Sequence, residues 1–393
     1  MEELELYVHI PFCIKKCLYC DFLSAPADAP VRNQYIHRLT DEIRLSAPDF
    51  RERRVSSIYI GGGTPTVLEP VQIERLMDAL QRYFHVAEDA EISVECNPGT
   101  LTGEKAAVLR RCGVNRISLG LQSADEEELR ALGRIHTFED FLQSFACARE
   151  GGFLNINVDI MSALPGQSVK SWERTLQRTA ELRPEHISAY SLILEEGTPF
   201  FARFREDELA RERGDVPKML PSEEEERRMY DLTGAFLREQ GYQRYEISNY
   251  ALPGYECRHN IGYWTGKEYL GLGLGASSLI GDMRFKNTEI LEDYMKPCRD
   301  VSSGAAGSFA RREEERRGRK EEMEEFMFLG LRMTRGIARR DFRERFGVTP
   351  EDVYGDVLKG LKNEGLLNIS EERIFLTERG VDVSNMVFAQ FLL

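Results

Sequence analysis

Three cysteines fall within eight residues, Cys13, Cys17 and Cys20, in a C-x3-C-x2-C pattern. Thiolates this close in sequence can ligate one metal centre, and three of them leave a tetrahedral ion or an iron–sulfur cubane with one open position. By themselves they fit zinc and iron–sulfur equally, because thiolates suit both metals. A structural zinc would draw a remote fourth ligand from Cys257 or His259, and three plain thiols are the third reading. Further along, Gly61-Gly62-Gly63-Thr64-Pro65-Thr66 allows a ligand close to the backbone. Glu95 and Asp159 stand at the ends of apolar runs, where an unpaired carboxylate is costly to bury, so a polar site is favoured there. His259 carries an imidazole able to bind iron, and Tyr263 and Trp264 offer flat rings with polar tips; a hydrogen-bonded histidine beside a core tryptophan is the plainer alternative.

Such groups need a frame. Apolar, β-branched runs bounded by turn residues recur at 4–10, 55–60, 91–95, 115–119, 154–160 and 186–191. Amphipathic stretches at 33–46, 70–84, 102–111, 138–150 and 169–182 place apolar residues three and four apart. Strand alternating with helix predicts an α/β fold with a parallel sheet and right-handed crossovers. Unusual sequence follows the strands in turn: His9 to Cys13, the glycine loop, Asn97-Pro98-Gly99, Gly120-Leu121-Gln122, then Asp159 and Tyr190-Ser191. Six such strand ends would converge on the carboxyl face of a barrel, where these folds place their chemistry. An open sheet puts its site at the same ends, so the pattern locates the site more firmly than it closes the barrel.

The 393-residue chain carries a formal net charge of −14, with its basic residues interleaved among Glu and Asp. That balance argues against nucleic acid as a partner. No apolar stretch of about 18 residues occurs and the first residues include early glutamates, so the expected location is cytoplasmic and the cysteines are expected as thiols. The pattern divides the chain into a barrel unit at 1–220, an extension at 221–298, a linker and charged helix at 299–323, and a winged-helix-like domain at 324–393. The mixed-charge run 311–325 reads as a solvated helix face. The last domain shows no basic recognition face, so packing or a protein partner is expected of it. Cys96, Cys112, Cys147 and Cys298 lack ligand-like spacing and read as ordinary thiols.

The segment C-I-K-K-C-L-Y-C, with Tyr19 before the last cysteine, and the GGGTPT loop together resemble the radical S-adenosylmethionine (SAM) superfamily. The resemblance implies a partial (β/α)6 barrel and a [4Fe-4S] cluster on Cys13, Cys17 and Cys20. It also implies SAM at the fourth iron, cleaved by an electron from the cluster to methionine and a 5′-deoxyadenosyl radical. Y-V-H-I-P-F-C at 7–13, the glycine loop, Glu95, Gly120-Leu121-Gln122, Arg134 and Asp159 fall in the order and spacing of the oxygen-independent coproporphyrinogen III oxidase branch. Carried over residue by residue, Tyr7, Tyr19, Gly62, Gly63, Thr64, Glu95, Gln122, Arg134, Asp159 and Ser191 are implied to contact SAM.

Two departures separate the chain from the decarboxylating oxidases. Those continue the cluster motif as C-x2-C-x-C, whereas Cys20 is followed by Asp21-Phe22; and only six residues precede Tyr7, where the oxidases carry a longer covering segment. The H-N-x-x-Y-W of His259, Asn260, Tyr263 and Trp264 is similar instead to the HemW group, heme chaperones that deliver heme to respiratory proteins. L-T-E-R-G at 376–380 and S-N at 384–385 extend that similarity along nearly the whole chain. It implies heme as cargo held through His259, Asn260, Tyr263 and Trp264, with Cys257 a competing thiolate, and heme-accepting respiratory proteins as partners. The scaffold would be able to cleave SAM without being a coproporphyrinogen oxidase. Rival readings are an oxidase that turns the two propionates of coproporphyrinogen III into vinyl groups and a zinc-stabilised binding protein. A homodimer and transient membrane association stay open.

Overall fold

The computed structural model describes residues 2–296 and 311–393. Strands β1 (Glu3–Ile10), β2 (Arg54–Gly62), β3 (Val86–Cys96), β4 (Arg116–Gln122), β5 (Ile156–Ser162) and β6 (His186–Ser191) pair in sequence order, all parallel. The intervening helices are α1 (Ala29–Ser46), α2 (Pro70–Tyr83), α3 (Gly103–Arg111), α4 (Glu126–Ala131), α5 (Phe138–Glu150) and α6 (Val169–Glu181). Their starts are written locally: the side chains of Asp28, Thr102, Thr137 and Ser168 each accept a backbone N–H of the first turn.

The strands alternate with period two. Leu4, Leu6, Val8 and Ile10 of β1 are buried in the main apolar core, as are Ile58 and Ile60, Ile92 and Val94, Ile117 and Leu119, and Val158 and Ile160 of the next four strands. The residues between them, Glu5, Ser57, Glu91, Ser93, Arg116, Ser118, Asn157, His186 and Ser188, are polar and still less than a tenth exposed. Successive side chains of a strand point to opposite faces, so a polar ladder lines the concave face of the sheet. Part of the ladder is satisfied internally: Ser118 and Asn157 donate to Asp159, and Asn157 Oδ1 accepts from His186 Nδ1, while Glu5 Oε2, Ser93 Oγ and Arg116 Nε have no hydrogen-bond partner.

Past β6 the sheet grows at both edges. β7 (Gln243–Arg244) and β8 (Asn249–Ala251) add antiparallel beyond β6, while β9 (Tyr269–Leu272) pairs parallel with β1 and carries β10 (Ser277–Ile280), β11 (Met283–Asn287) and β12 (Arg311–Arg316) as an antiparallel extension. The order is thus β12-β11-β10-β9-β1-β2-β3-β4-β5-β6-β8-β7, and no pairing among the described residues joins the two edges. The barrel is partial. Between these strands run α7 (Pro199–Glu212), α8 (Glu223–Glu239), α9 (Arg258–Trp264) and α10 (Leu291–Tyr294).

Of the expected linker and charged helix at 299–323, residues 299–310 lie outside the described residues. The charge run from 311 is not the single helix face it reads as: it opens as edge strand β12 and becomes α11 (Arg319–Gly330) only after Arg317 and Gly318. A boundary at 324 therefore cuts through α11. A run of charged residues on a sheet's edge strand is how such edges avoid further pairing, and composition alone confuses it with a helix. The C-terminal module follows with β13 (Ile337–Ala338), α12 (Arg339–Phe346), α13 (Pro350–Asn363) and the hairpin β14 (Leu367–Ile369) and β15 (Arg373–Leu376), around a separate core of Met327, Phe342, Leu358 and Phe391. Among the described residues no helix is long and apolar enough to cross a membrane.

Candidate functional site

Cys13, Cys17 and Cys20 line one pocket of about 340 Å³ at the carboxyl ends of β1 to β6. The loop that bears them is anchored by backbone bonds from Cys13 N to Ala25 O and from Leu18 N to Leu132 O. Thr64 donates to Cys13 Sγ at 3.4 Å and Arg134 Nη1 to Cys17 Sγ at 3.4 Å. Arg134 is itself fixed through Nη2, which donates to Asn97 Oδ1 at 2.8 Å and to Gly120 O at 2.6 Å.

The glycine loop is tight for a specific reason. Gly62 sits at φ +105°, and a Cβ there would meet His9 Cε1 at 2.3 Å, while one on Gly63 would meet Phe12 O at 2.6 Å. The ends of β1 and β2 therefore press backbone to backbone, and Gly62 N–H is turned to Glu95 Oε2 at 2.9 Å. Tyr59 donates to the other oxygen at 3.0 Å. Burial first, and then the charge of Asp159, push the Glu95 carboxyl up to about 7. Burial also raises Asp159, against the pull of Asn157 and Ser118. Two carboxyls with restrained charge thus face the pocket that holds Arg134.

Tyr19, Gly62, Gly63, Glu95, Gln122, Arg134 and Asp159 all line the cysteine pocket, so the structure brings most of the expected set together. Gln122 ends β4 at φ +71°, a conformation unusual for a residue with a side chain. Three expected residues stand apart from this wall. Thr64 is buried behind Cys13; Ser191 faces Ser162 at 3.3 Å while its neighbours Tyr190 and Leu192 reach the pocket; and Tyr7 lines the adjoining cleft. Asn97 went unnoticed as a site residue although it ties Thr64 to Arg134. Its place in the N-P-G turn after β3 is the signal that could have marked it.

A larger cleft of about 760 Å³ adjoins the pocket and shares Lys16, Asp21, Phe22, Gly62 and Glu95 with it. Tyr263, Trp264, Tyr269 and Leu279 supply apolar wall, and Lys16, Lys267, Arg284 and Lys286 supply positive charge. Phe22, 58% exposed, is the residue that follows the cysteine loop into this cleft.

Helix α9 backs the cleft. His259 and Tyr263, four residues apart on one face, share a hydrogen bond of 3.1 Å between His259 Nε2 and the Tyr263 hydroxyl. His259 is 1% exposed, its Nδ1 lies 2.8 Å from Ser57 Oγ, and its ring stacks on Tyr59. Burial pushes its pKa down to about 3, with Arg116 adding repulsion. The imidazole is neutral and enclosed, which is the plainer of the two sequence readings. Asn260 is half-buried and outside the walls of both cavities, whereas Tyr263 and Trp264 line the cleft. Gly262 has no room for a side chain, since a Cβ would fall 2.0 Å from Glu5 Oε1. Cys257 is wholly buried with its thiol on Glu91 Oε1 at 3.4 Å, and burial pushes it up to about 12. Neither Cys257 nor His259 borders the cysteine pocket, so the remote fourth zinc ligand expected of them is not formed.

A family model described as the radical SAM superfamily matches residues 7–179, and one described as the HemN C-terminal domain matches 319–383. The chain is 36% identical to "Heme chaperone HemW" of Bacillus subtilis (strain 168), over 98% of each chain. It is 38% identical to the Lactococcus lactis protein of the same name, over 98% of this chain and 97% of the relative. Among solved structures, coproporphyrinogen III oxidase (HemN) from Escherichia coli, a radical SAM enzyme, superposes with a TM-score of 0.83 at 28% identity, covering 100% of this chain and 90% of that one.

Proposed function

The chain belongs to the HemW family of the radical SAM superfamily, and from that premise we propose that it binds heme in the 760 Å³ cleft and hands it to heme-accepting proteins. The observation that carries this reading is the cleft: its volume lies within the roughly 300–1,000 Å³ of small-molecule sites, and it pairs an aromatic wall with a cationic one. Tyr263 and Trp264 offer faces to a flat macrocycle, and Lys267, Arg284 and Lys286, paired here with Glu3, Glu325 and Glu289, would exchange those carboxylates for its propionates.

The cysteine pocket fits the resident cofactors of the superfamily. Cys13, Cys17 and Cys20 would hold a [4Fe-4S] cluster, each thiolate on its own iron. Zinc is disfavoured: one ion needs its thiolates at about 2.3 Å, and among the described residues no three His, Cys, Asp or Glu side chains gather closely enough for a single ion. Gly62, Gly63 and the 120–122 strand end leave room for SAM near the backbone, Arg134 suits its carboxylate, and Glu95 and Asp159 suit its amine or ribose hydroxyls. When bound, this pair supplies one-electron chemistry to the site.

The overlap with the oxidase fold keeps decarboxylation of coproporphyrinogen III as the second reading. Both are decided by titrating ferric heme into the purified chain and by incubating the cluster-loaded, reduced protein anaerobically with SAM and coproporphyrinogen III. Heme saturating at one per chain, retained when Cys13, Cys17 and Cys20 are all changed to Ser, with no vinyl product, is the expected result. Vinyl product without heme uptake would replace the carrier by the enzyme.

A further inference from the structure

Of the cations around the cleft, Lys267 and Lys286 meet surface carboxylates, Glu3 at 2.6 Å and 43% exposed, and Glu289, 57% exposed. Pairs so open to water are worth little. Arg284 is held differently. Its Nη1 lies 2.9 Å from Glu325 Oε1 and its Nη2 donates to Glu325 Oε2 at 3.0 Å, a two-pronged clasp on a carboxylate only 12% exposed. Glu325 belongs to α11, which packs Met323, Met327 and Leu331 into the core of the C-terminal module. One ion pair thus joins a wall of the cleft to a separate core.

The clasp has a front and a back. Arg284 borders the 760 Å³ cleft and Glu325 does not; Glu325 borders a second cavity of about 90 Å³, which shares Trp264 and Leu329 with the cleft. There it has another holder. Arg317 Nη1 donates to Glu325 Oε2 at 2.8 Å, and the buried Arg317 is itself pinned by Nη2 on Gly281 O at 2.9 Å, in the turn between β10 and β11. Arg317 lines the small cavity and not the cleft, so an anion arriving in the cleft meets Arg284 alone of the two. That anion and Glu325 compete for the Nη1–Nη2 fork of Arg284, which holds one carboxylate at a time.

Resting on the heme-carrier reading, we propose that Arg284 and Glu325 form a latch worked by the cargo: a propionate that takes Arg284 leaves Glu325 to Arg317, so that filling the cleft loosens α11. Such coupling is reciprocal. The grip of Glu325 on Arg284 weakens cargo binding by the same factor by which cargo weakens the grip. Glu325 is then a brake on affinity built into the wall, and its return to Arg284 opposes the cargo on release. The exchange moves no proton or electron and makes no covalent bond. The iron takes no part in it, so the chemistry recognised is a macrocycle bearing carboxylates.

The test is heme titration of the full-length chain together with backbone hydrogen exchange, read by mass spectrometry over residues 319–326. Wild type is expected to exchange faster there when saturated with ferric heme, and no faster when bound to the dimethyl ester of heme, whose propionates are neutral. Glu325→Gln should bind heme about tenfold more tightly, exchange fast without heme and show no further response to it. Arg284→Lys keeps the charge but loses the fork; it should loosen α11 without heme, and it decides the matter if Glu325→Gln folds poorly. Glu3→Gln and Glu289→Gln should keep the heme response, since neither carboxylate belongs to α11. Exchange over 319–326 that heme leaves unchanged or slows, or a folded Glu325→Gln protein that binds heme no more tightly, would overturn the latch and leave the carrier reading intact. A wild-type chain that takes up no heme would overturn both.

Discussion

Glu5 lies under α9 at 1% exposure, with Oε2 meeting no hydrogen-bond donor and with Ser57 its nearest help. Burial pushes its carboxyl from 4.5 up to about 8. The folded state therefore holds a proton there that the unfolded chain releases near pH 4.5, so stability is full below that pH and falls as pH rises through about 8. Glu5→Gln should remove this slope and stabilise the protein by up to about 4 kcal/mol at pH 8 and above. Denaturant midpoints of the two proteins from pH 4 to 9 measure it; parallel curves would mean that Glu5 is not buried as an acid. At this scale the sequence spoke unevenly. The cysteines, glycine loop, Glu95 and Asp159 announce themselves by spacing and by strand-end position, whereas Arg134 enters only through the family resemblance. The polar ladder does not, because Ser57, Glu91, Arg116 and Asn157 are single polar residues within apolar strands and look like solvent-facing alternation. His259 is ambiguous for a related reason: only packing distinguishes an enclosed imidazole from a ligand.

Helix α9 is two turns long, yet it faces three neighbours: the barrel floor, the cleft and the C-terminal module. Trp264 makes the third contact, with the Arg332 guanidinium 4.3 Å over its ring and Met333 and Tyr245 in the same apolar cluster. Leu329 of α11 reaches the cleft beside it. The segment that leads into the module is thus part of the cleft wall. Trp264→Ala should cost about 2 kcal/mol, less than a fully buried tryptophan because the ring is only half-buried, and should weaken heme binding as well. Trp264→Phe should restore most of both. Chemical denaturation and heme titration of the two variants check this, and an unchanged Trp264→Ala protein would detach the module from the site. The six strands and five of the helices were readable because each strand's apolar residues form a run bounded by turn residues and each of those helices places its apolar residues three and four apart. β7 to β12 were not, since strands of two to six residues between charged turns fall below any periodicity a window can detect.

Across the whole molecule the two cavities form one continuous face at the carboxyl ends of the strands, with thiols and carboxyls at one side and aromatic and cationic groups at the other. A chain of net charge −14 gathers Lys16, Lys267, Arg284 and Lys286 around one cleft, and Glu3, Glu325 and Glu289 already pair the last three. A dianionic cargo would exchange those carboxylates on entry, and they would take the cations back on release. Composition could not reveal this cluster, because the four residues come from the cysteine loop, the turn before β9 and strand β11, and only the folded sheet unites them. The decisive measurement is heme transfer: the chain loaded with one ferric heme is mixed with an apo-acceptor heme protein in the presence of a scavenger for free heme, and the acceptor's spectrum is followed. Transfer that outruns the scavenger, and that slows when Arg284 and Lys286 are reversed to Glu and loading falls, is predicted. An acceptor that fills no faster than from free heme would contradict the carrier.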